Sequence, residues 1–486
     1  MLTSDRLSYE RALGFDEAVD AQCRPRPHYA ALFEEMARLS AAELASRERL
    51  RDAIFQRLGI TFAVYGDAGG LERTWPMDLV PRIIPAGEWA IVERGLAQRV
   101  KALNLFLDDL YTGEAAALRD GIVPRRLVLS SEGFVRAAVG IRVPHGARCL
   151  VAGIDLVRDA DGTYRVLEDN LRVPSGISYV LENRAALTRV MPALSALHRI
   201  RPVHHYAASL LASLQSIAPR AVGSNPRVVV LTPGIFNSAY FEHAFLARQL
   251  GAELVEGRDL LVENHTVYAR TTQGLERVDV IYRRVDDAFI DPAVFRPDSM
   301  LGVPGLMGAL RAGNVGLANS LGCGVADDKA IYPYVPALIR YYLGEDAILP
   351  NVDTYLLWED DQREAALARL DQLVIKPVAA SGGYGIVIGP QATDEQLEIC
   401  RKEIECDPRA WIAQELVQLS SHPTFVDGRL EPRHIDLRPF VLAGERITVI
   451  PGGLTRVALR RGSFVVNSSQ GGGSKDTWVL AGPEGG

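Results

Sequence analysis

The segment from residue 150 to residue 176 constrains the fold of this 486-residue chain more than any other segment. Two apolar runs, 150–157 and 164–167, lie on either side of a short polar stretch that contains an Asp-Gly step. An Asp-Gly step between two such runs is a strong signal for a β-hairpin. The two runs are therefore predicted to form paired antiparallel strands.

Three side chains on this hairpin carry oxygen atoms that suit a metal ion. Glu168 and Asn170 are two residues apart, so they share one face of the second strand. Pairing of the strands would bring Asp155 beside them, and three hard oxygen ligands of this kind hold Mg²⁺ through a phosphate. The alternative is a surface hairpin with solvated acidic groups.

Composition and charge narrow the class of protein. With 48% hydrophobic residues, the chain can build two or three packed domains. A charged fraction of 23% and a formal net charge of −7 give no indication of a nucleic-acid or membrane-surface partner. The first ten residues lack the apolar core of a signal peptide, and no window has the roughly 18 apolar residues that a membrane span needs. Five cysteines without C-x-x-C spacing indicate free thiols, so a soluble, cytoplasmic protein is expected.

Residues 1–120 are predicted to form a largely helical region. The helical spacing of apolar residues indicates two helices that are broken near Ser40, and a longer amphipathic helix over 88–111. A loop rich in Gly and Pro precedes the longer helix. This loop is either a site for an anionic substrate or a charged structural loop, and its candidate residues are Arg73, Asp78 and Arg82.

Residues 121–221 are predicted to hold the hairpin followed by helices, and residues 222–320 to form a small parallel α/β domain. The buried-strand run at 227–231 is followed by a helical pattern and by further strand-like runs. Ligands of such sheets bind beyond the carboxyl ends of the strands. Arg283 and Arg284 follow one of these ends, where they either face a substrate carboxylate or form structural salt bridges.

Residues 321–486 carry the pattern of a catalytic core. A helix is predicted over 329–343, and the strand-like run at 373–377 contains Lys376 near its end. That run leads into a glycine-rich loop at 379–385, whose backbone N–H groups can lie against phosphate oxygens. The loop is neither a P-loop nor a dinucleotide fingerprint, because no helix begins after it. On its own, it fits an ordinary hairpin as well as a phosphate site.

These residues, in their order along the chain, resemble the landmarks of ATP-grasp ligases. The landmarks are Asp328-Lys329, Ile375-Lys376-Pro377 with the loop at 381–385, Gln414-Glu415, Asp436-Leu437-Arg438, Arg456 and Asn467. In the usual ATP-grasp order the metal-binding hairpin comes last, whereas here residues 148–176 come first. The chain therefore resembles the bacterial circularly permuted ATP-grasp family, type 2, which is distantly similar to glutathionylspermidine synthetase. The implied fold class is α/β (α+β), with a permuted ATP-grasp core, a small parallel α/β domain like the pre-ATP-grasp domain, and an N-terminal helical region.

The resemblance also implies a role for each candidate residue. Mg²⁺ would be bound by Asp155, Glu168 and Asn170. The phosphates of ATP would be neutralised by Lys329 and Lys376, and covered by a lid made of Ser381, Gly382, Gly383, Tyr384 and Gly385. Adenine would be bound by Gln414, Glu415, Leu416 and Val417. The catalytic candidates are Arg438 and Arg456, for the acyl phosphate, and Arg172, for the substrate.

The activity that the resemblance implies is ATP-dependent ligation of a carboxylate to an amine, through an acyl phosphate and with release of ADP. One alternative is a catalytically silent ATP-binding scaffold that acts with a partner protein. Another is phosphoryl transfer to an acceptor other than a carboxylate. Proteins of this permuted type are often encoded beside a helical α-E protein and a transglutaminase-like protein, so an α-E domain partner is also implied. No residue indicates which carboxylate and amine are used.

Overall fold

The computed structural model describes residues 9–63, 72–220, 223, 225–379, 383–459, 466 and 472–482. The α-helices in these ranges are α1 (Ala30–Ala37), α2 (Ala41–Leu58), α3 (Ala86–Thr112), α4 (Ala116–Arg119), α5 (Arg125–Leu129), α6 (Ile177–Val190), α7 (Pro192–Ala196), α8 (Tyr206–Ser216), α9 (Tyr240–Leu250), α10 (Leu306–Arg311), α11 (Gly324–Asp327), α12 (Val335–Leu343), α13 (Asp360–Leu367) and α14 (Asp394–Cys406). The β-strands are β1 (Thr61–Ala63), β2 (Glu72–Thr74), β3 (Met77–Ile84), β4 (Val151–Arg158), β5 (Tyr164–Asn170), β6 (Val228–Leu231), β7 (Glu253–Val255), β8 (Leu260–Glu263), β9 (Thr266–Thr271), β10 (Gly274–Arg277), β11 (Val280–Arg283), β12 (Gly316–Ala318), β13 (Thr354–Leu356), β14 (Leu373–Pro377), β15 (Val387–Ile388), β16 (Trp411–Glu415), β17 (Ser421–Val426), β18 (Arg429–His434), β19 (Phe440–Ala443), β20 (Ile447–Val449), β21 (Thr455–Val457) and β22 (Gly473–Val479). Within these ranges, none of the helices combines the length and the apolar composition that crossing a membrane requires.

The helices predicted near the N-terminus are present. The break near Ser40 separates α1 from α2, because Ser40 caps α2. Its hydroxyl accepts a hydrogen bond from the backbone of Glu43, and the Glu43 carboxylate accepts one from the backbone of Ser40. The helix predicted over 88–111 is α3, and its buried side carries the largest share of apolar residues in the main core.

The helix predicted over 329–343 begins later than expected. Residues 332–334 form a 3₁₀ turn, and α12 begins only at Val335. Two features of the sequence explain the delay. Asp328 accepts a hydrogen bond from the backbone of Ala330, which fixes a local turn, and Pro333 and Pro336 have no N–H group to donate within a continuous helix.

The predicted parallel α/β unit is confirmed as a four-stranded sheet of order β12-β11-β6-β7. All three strand pairs in this sheet are parallel. The turn sequences between β7 and β11 form an antiparallel meander of β8, β9 and β10, rather than a single hairpin. The two arginines at the end of β11 are buried in ion pairs: Arg283 with Asp287, and Arg284 with Glu242. They therefore form structural salt bridges.

The hairpin of β4 and β5 lies in the same sheet as strands from the C-terminal part of the chain. The sheet order is β20-β19-β4-β5, and β19 pairs with β4 in an antiparallel register that places Val441 opposite Ala152. Strand β3 similarly pairs with β22. Segments from the two ends of the chain thus build one unit, as a circular permutation of the order of elements requires.

A smaller unit, the 354–415 subdomain, packs around its own core. Its antiparallel sheet has the order β13-β16-β14-β15 and carries α13 and α14. Its separate hydrophobic cluster consists of Leu357, Ala366, Leu370, Leu373, Ile375, Cys400, Ile404 and Ala413. Lys376 and the glycine-rich loop therefore belong to a subdomain whose packing is distinct from that of the main body.

The predicted loop before α3 is wrong for residues 77–84, which form the buried strand β3, and the charged residues there are structural. The side chain of Arg82 is buried against Glu17, and Asp78 is buried and accepts a hydrogen bond from Lys475. The side chain of Arg73 lies outside the described residues.

Glu17 is the centre of a buried charged cluster. One of its oxygens accepts from Arg82 at 2.7 Å and from the Ser420 hydroxyl at 2.8 Å, and the other accepts from Arg158 at 3.0 Å. Burial opposes ionisation, but the two guanidinium groups outweigh it and lower the pKa of Glu17. This carboxylate therefore ties residues near the N-terminus to β3 and β4.

We expect Glu17→Ala to lower the free energy of unfolding by roughly 3–5 kcal/mol, because it leaves two buried arginines without their shared carboxylate. Chemical denaturation followed by tryptophan fluorescence measures the change. The matched control is Glu114→Ala, since Glu114 forms an exposed ion pair with Arg119 and its removal should leave the stability unchanged. Equal stability of the two variants would contradict a structural role for Glu17.

Candidate active site

A cleft of about 250 Å³ lies between the end of β5, helix α11, the end of β14 and the turn before β16. Its lining includes two of the predicted metal ligands, Glu168 and Asn170, and the predicted phosphate-binding residue Lys329. The predicted substrate-binding residue Arg172 also lines it. The cleft therefore brings together candidates from the hairpin and from the last third of the chain.

The hairpin places Asp155 opposite Glu168, because the register of the two strands shifts by one residue between Asp155 and Leu156. Glu168 and Asn170 face the cleft, but Asp155 is fully buried beside it. Asp155 accepts hydrogen bonds from Nε and Nη2 of Arg438 at 2.5 and 2.8 Å, and from Nη2 of Arg456 at 2.6 Å. Burial opposes ionisation of this carboxyl group, but the two guanidiniums outweigh it and lower the pKa of Asp155.

A second aspartate completes this cluster. Both carboxylate oxygens of Asp436 accept from Nε of Arg456, at 2.9 and 3.0 Å, and burial raises the pKa of Asp436. Arg456 is therefore held between Asp155 and Asp436. Arg438 is held by Asp155 and by the carbonyl of Ser175, to which its Nη1 donates at 3.4 Å, and its Nη2 lies 4.0 Å from Oε1 of Glu168.

Gly153 makes room for Arg438 above strand β4. A Cβ atom at position 153 would lie 3.4 Å from Cδ of Arg438 and 3.1 Å from Cβ of Pro174. The absence of a side chain therefore lets the stem of Arg438 cross the strand, so that its guanidinium reaches Asp155 and approaches Glu168.

The two predicted phosphate-binding lysines also converge on Glu168. Nζ of Lys329 lies 3.9 Å from Oε2 of Glu168. Lys376 is only 5% exposed, and within the described part of the chain no hydrogen bond or ion pair to its amine is found. Burial lowers the pKa of Lys376 to about 8, although the nearby Glu168 carboxylate opposes this shift. The site thus holds a buried lysine near two carboxylates, Glu168 and Asp155, whose influence does not offset its burial.

The glycine-rich loop is described in part. Ser381 and Gly382 lie outside the described residues, as does Asn467. Gly383 and Gly385 have φ angles of 79° and 72°, a left-handed conformation that favours glycine, and Tyr384 between them is exposed. Residues 383–385 are separated by three residues from Ala379, the last residue of this segment that lines the cleft.

The predicted adenine-binding residues lie at the end of β16. The side chain of Gln414 is buried, and its Nε2 donates to Oγ1 of Thr354 at 3.0 Å, whereas its Oε1 has no partner among the described residues. The carboxylate of Glu415 is occupied by Arg369 and by the Tyr355 hydroxyl. Leu416 and Val417 follow and are half-buried.

Several residues of the cleft were not predicted from the sequence. They are Asp327, the turn residues Asp407 and Arg409, and the wall formed by Ser130, Ser131, Glu132 and Gly133. Asp327 directly precedes the predicted Asp328-Lys329 pair, so the Asp-Asp-Lys sequence was the available signal for it. The wall residues belong to no motif, and their part in the cleft follows only from the fold.

The family model described as "Circularly permuted ATP-grasp type 2" matches residues 81–458. An uncharacterized protein of Mycobacterium tuberculosis is 56% identical over 97% of this chain and 84% of its own length. A Frankia alni protein, provisionally named glutamate–cysteine ligase 2-3, is 48% identical over 96% of this chain but only 54% of its own length.

Among solved structures, a glutathione synthetase-like effector of Globodera pallida in its apo form superposes with a TM-score of 0.58. The alignment covers 91% of this chain and 98% of that one at 11% identity, so it bears on the fold alone. The family match agrees with the arrangement seen here, in which the β4–β5 hairpin precedes the rest of the core in the chain but pairs with β19. The chain belongs to the circularly permuted ATP-grasp type 2 family.

Proposed function

We propose that this protein is an ATP-dependent ligase that joins a carboxylate to an amine through an acyl phosphate, with release of ADP and phosphate. The observation that carries the proposal is the convergence on Glu168. Lys329 and Arg438 approach its carboxylate to 3.9 and 4.0 Å, and the buried Lys376 lies within its electrostatic influence. A carboxylate and the γ-phosphate of ATP repel each other, so their reaction requires positive groups that are fixed beforehand.

The donor set at the cleft fits Mg²⁺. Glu168 and Asn170 offer oxygen ligands on one face of β5, and both line the cleft. Mg²⁺ binds typically through one or two protein ligands together with phosphate oxygens, and it supplies charge neutralisation to the transferred phosphoryl group. The oxygens of Asp155 are occupied by Arg438 and Arg456. Asp155 would therefore act on the ion through its negative charge rather than as a direct ligand.

The other candidate residues would bind ATP, and the reaction would then proceed in two steps. Lys329 and Lys376 would neutralise the α- and β-phosphates, with residues 381–385 as a lid and residues 414–417 around adenine. A substrate carboxylate oxygen then attacks the γ-phosphorus, and ADP leaves. The amine nitrogen attacks the acyl carbon, and phosphate leaves.

Arg438 and Arg456 would stabilise the negative charge that develops in both steps. Their aspartate partners fix the guanidinium groups before substrate arrives, so little reorganisation is needed during the reaction. Loss of one such contact typically raises the barrier by roughly 3–4 kcal/mol.

We expect Glu168→Gln and Lys376→Met to reduce the rate of ADP release by roughly 100-fold or more, because each removes a charge that positions the triphosphate. The assay measures ADP with Mg-ATP and a pool of amino acids and polyamines. Glutamate and cysteine belong in the pool, since the Frankia relative is named for them. The matched control is Lys402→Met, because Lys402 is an exposed residue of α14.

Tight binding of Mg-ATP by the unaltered protein, without ADP release from any pool, would contradict the ligase proposal. That result would favour an ATP-binding scaffold that works with a protein partner, for which an α-E domain protein is the first candidate. ADP release with an alcohol acceptor alone would instead indicate phosphoryl transfer to a group other than a carboxylate.

Burial of Lys376 also predicts that this residue lowers the stability of the protein while serving its function. Its pKa is lower in the folded protein than in the unfolded chain, so the unfolded chain binds more protons between about pH 8 and 10.5 and stability rises with pH across that window. At pH 7 the charged Lys376 therefore costs roughly 3 kcal/mol. We expect Lys376→Met to increase the free energy of unfolding at pH 7 and to reduce the rise between pH 8 and 10.5, to which Lys475, whose pKa burial also lowers, still contributes.

Urea denaturation at pH 7 and near pH 9.5 measures both effects. A variant that is less stable than the unaltered protein at pH 7 would show that Lys376 has a stabilising partner, and the reading of its buried charge would then be wrong.

A further inference from the structure

Arg172 has an open edge that faces the cleft. It follows Asn170 by two residues, and 37% of its side chain is exposed. Its Nε donates to Oδ2 of Asp327 at 2.7 Å, whereas its two terminal nitrogens have no hydrogen-bond partner among the described residues. The terminal nitrogens of a guanidinium offer parallel N–H donors that match the two oxygens of a carboxylate.

The other arginine of the cleft lining lacks such an edge. Nη2 of Arg409 donates to Oδ2 of Asp328 at 2.7 Å and to the carbonyl of Leu127 at 3.2 Å, and its Nε donates to Oγ of Ser130 at 3.1 Å. Arg409 therefore closes one end of the cleft as a structural bridge. Arg172 differs because one side of its guanidinium is anchored and the other side is left for a ligand.

The carboxylate of Asp327 fixes both the backbone and the side chain of Arg172. Its oxygens accept from the backbone N–H of Leu171, from the backbone N–H of Arg172 at 3.3 Å and from Nε of Arg172. Its side chain is 13% exposed, and burial raises the pKa of Asp327 to about 6, a rise that the Arg172 guanidinium opposes. The group is therefore ionised at neutral pH, and Arg172 cannot turn away without breaking these bonds.

Two glycines complete the frame around Arg172. A Cβ atom on Gly324 would lie 3.0 Å from Cδ of Arg172 and 2.9 Å from Cα of Gly133. A Cβ atom on Gly133 would lie only 2.1 Å from the carbonyl carbon of Gly324. Helix α11 therefore supplies both the acceptor, at Asp327, and the surface, at Gly324, against which the stem of Arg172 rests.

We propose that Asp327 is a positioning residue that holds the open edge of Arg172 toward the cleft, where Arg172 binds an anionic group of the carboxylate substrate. This inference rests on the proposed ligase function and deepens it by assigning the substrate, rather than the nucleotide, to Arg172. The short chain from Glu168 to Arg172 keeps this anion-binding edge at a fixed place relative to the proposed metal ligands.

The test compares Arg172→Gln, Asp327→Asn and the double variant with the unaltered protein. Two quantities are measured near pH 7.5: the concentration of the amino-acid pool that half-saturates ADP release, and the calorimetric affinity for Mg²⁺ with a non-hydrolysable ATP analogue. We expect each single variant to raise the half-saturating concentration by about tenfold and the double variant to be no worse than Arg172→Gln, because Asp327 acts through Arg172. Affinity for the analogue should change less than about twofold.

Controls separate a positioning role from a general loss of structure. Asp298→Asn also removes one charge from an Asp–Arg pair, with Arg296, but lies outside the cleft lining, and it should change neither quantity. Arg172→Lys should restore little, because an ammonium group cannot donate to Asp327 and to a carboxylate with the same geometry. Retained affinity for the analogue in each variant shows that the fold and the nucleotide site are intact.

Two results would overturn the inference. One is that the effects of the two single variants multiply in the double variant. The other is a loss of analogue affinity as large as the change in the half-saturating concentration. An unchanged half-saturating concentration in Asp327→Asn would overturn it as well, while leaving the ligase function in place. Absence of ADP release by the unaltered protein is a different failure, since it removes the ligase function and with it the substrate role of Arg172.

Discussion

The buried cluster of Asp155, Arg438, Arg456 and Asp436 is the interaction on which the rest of the site depends. Asp155, Asp436 and Arg456 are buried and Arg438 is half-buried, and the buried charges would be strongly destabilising if their partners were absent. Because Asp155 comes from β4 and the other three come from the segment around β19 and β21, these charges can be satisfied only when the two ends of the chain are assembled. The cluster therefore specifies the arrangement of strands as well as the position of the arginines.

The described part of the chain places more positive than negative side chains close to Glu168. Its carboxylate faces Lys329 and Arg438 at about the limit of direct ion pairing, and Lys376 remains buried with a lowered pKa. Burial of the charged Lys376 lowers the stability of the ligand-free protein. Such imbalance is typical of binding sites, where stability is given up so that charges are ready for a ligand.

The sequence predicted features that depend on local patterns. The Asp-Gly turn and the flanking apolar runs were enough to predict the hairpin, but not the shift of register after Asp155 that places this residue opposite Glu168, and the break between α1 and α2 lies at Ser40, near where the sequence predicted it. The start of α12 was predicted six residues too early, because the helical pattern of apolar residues continues through two prolines that prevent a regular first turn.

Features that depend on distant partners could not be predicted in the same way. The sequence does not indicate that Asp155 pairs with Arg438 and Arg456, that Gly153 leaves space for Arg438, or that Asp327 anchors Arg172. Each depends on contacts between segments far apart in the chain, and a single aspartate or glycine has the same local signature whether or not such a partner exists. The family resemblance supplied the candidate residues, whereas only the fold supplied their partners.

The pairing of β4 with β19 has a consequence for how the protein is made. During synthesis the β4–β5 hairpin emerges early, but β19, the strand that pairs with β4, follows only about 290 residues later. Until then one edge of β4 has no strand to pair with, and the carboxylate of Asp155 has no arginine partner. The candidate site is therefore among the last parts to be completed, although the residues of its hairpin are made within about the first third of synthesis. A chain that stops before β19 would contain most of the binding residues and yet have no site.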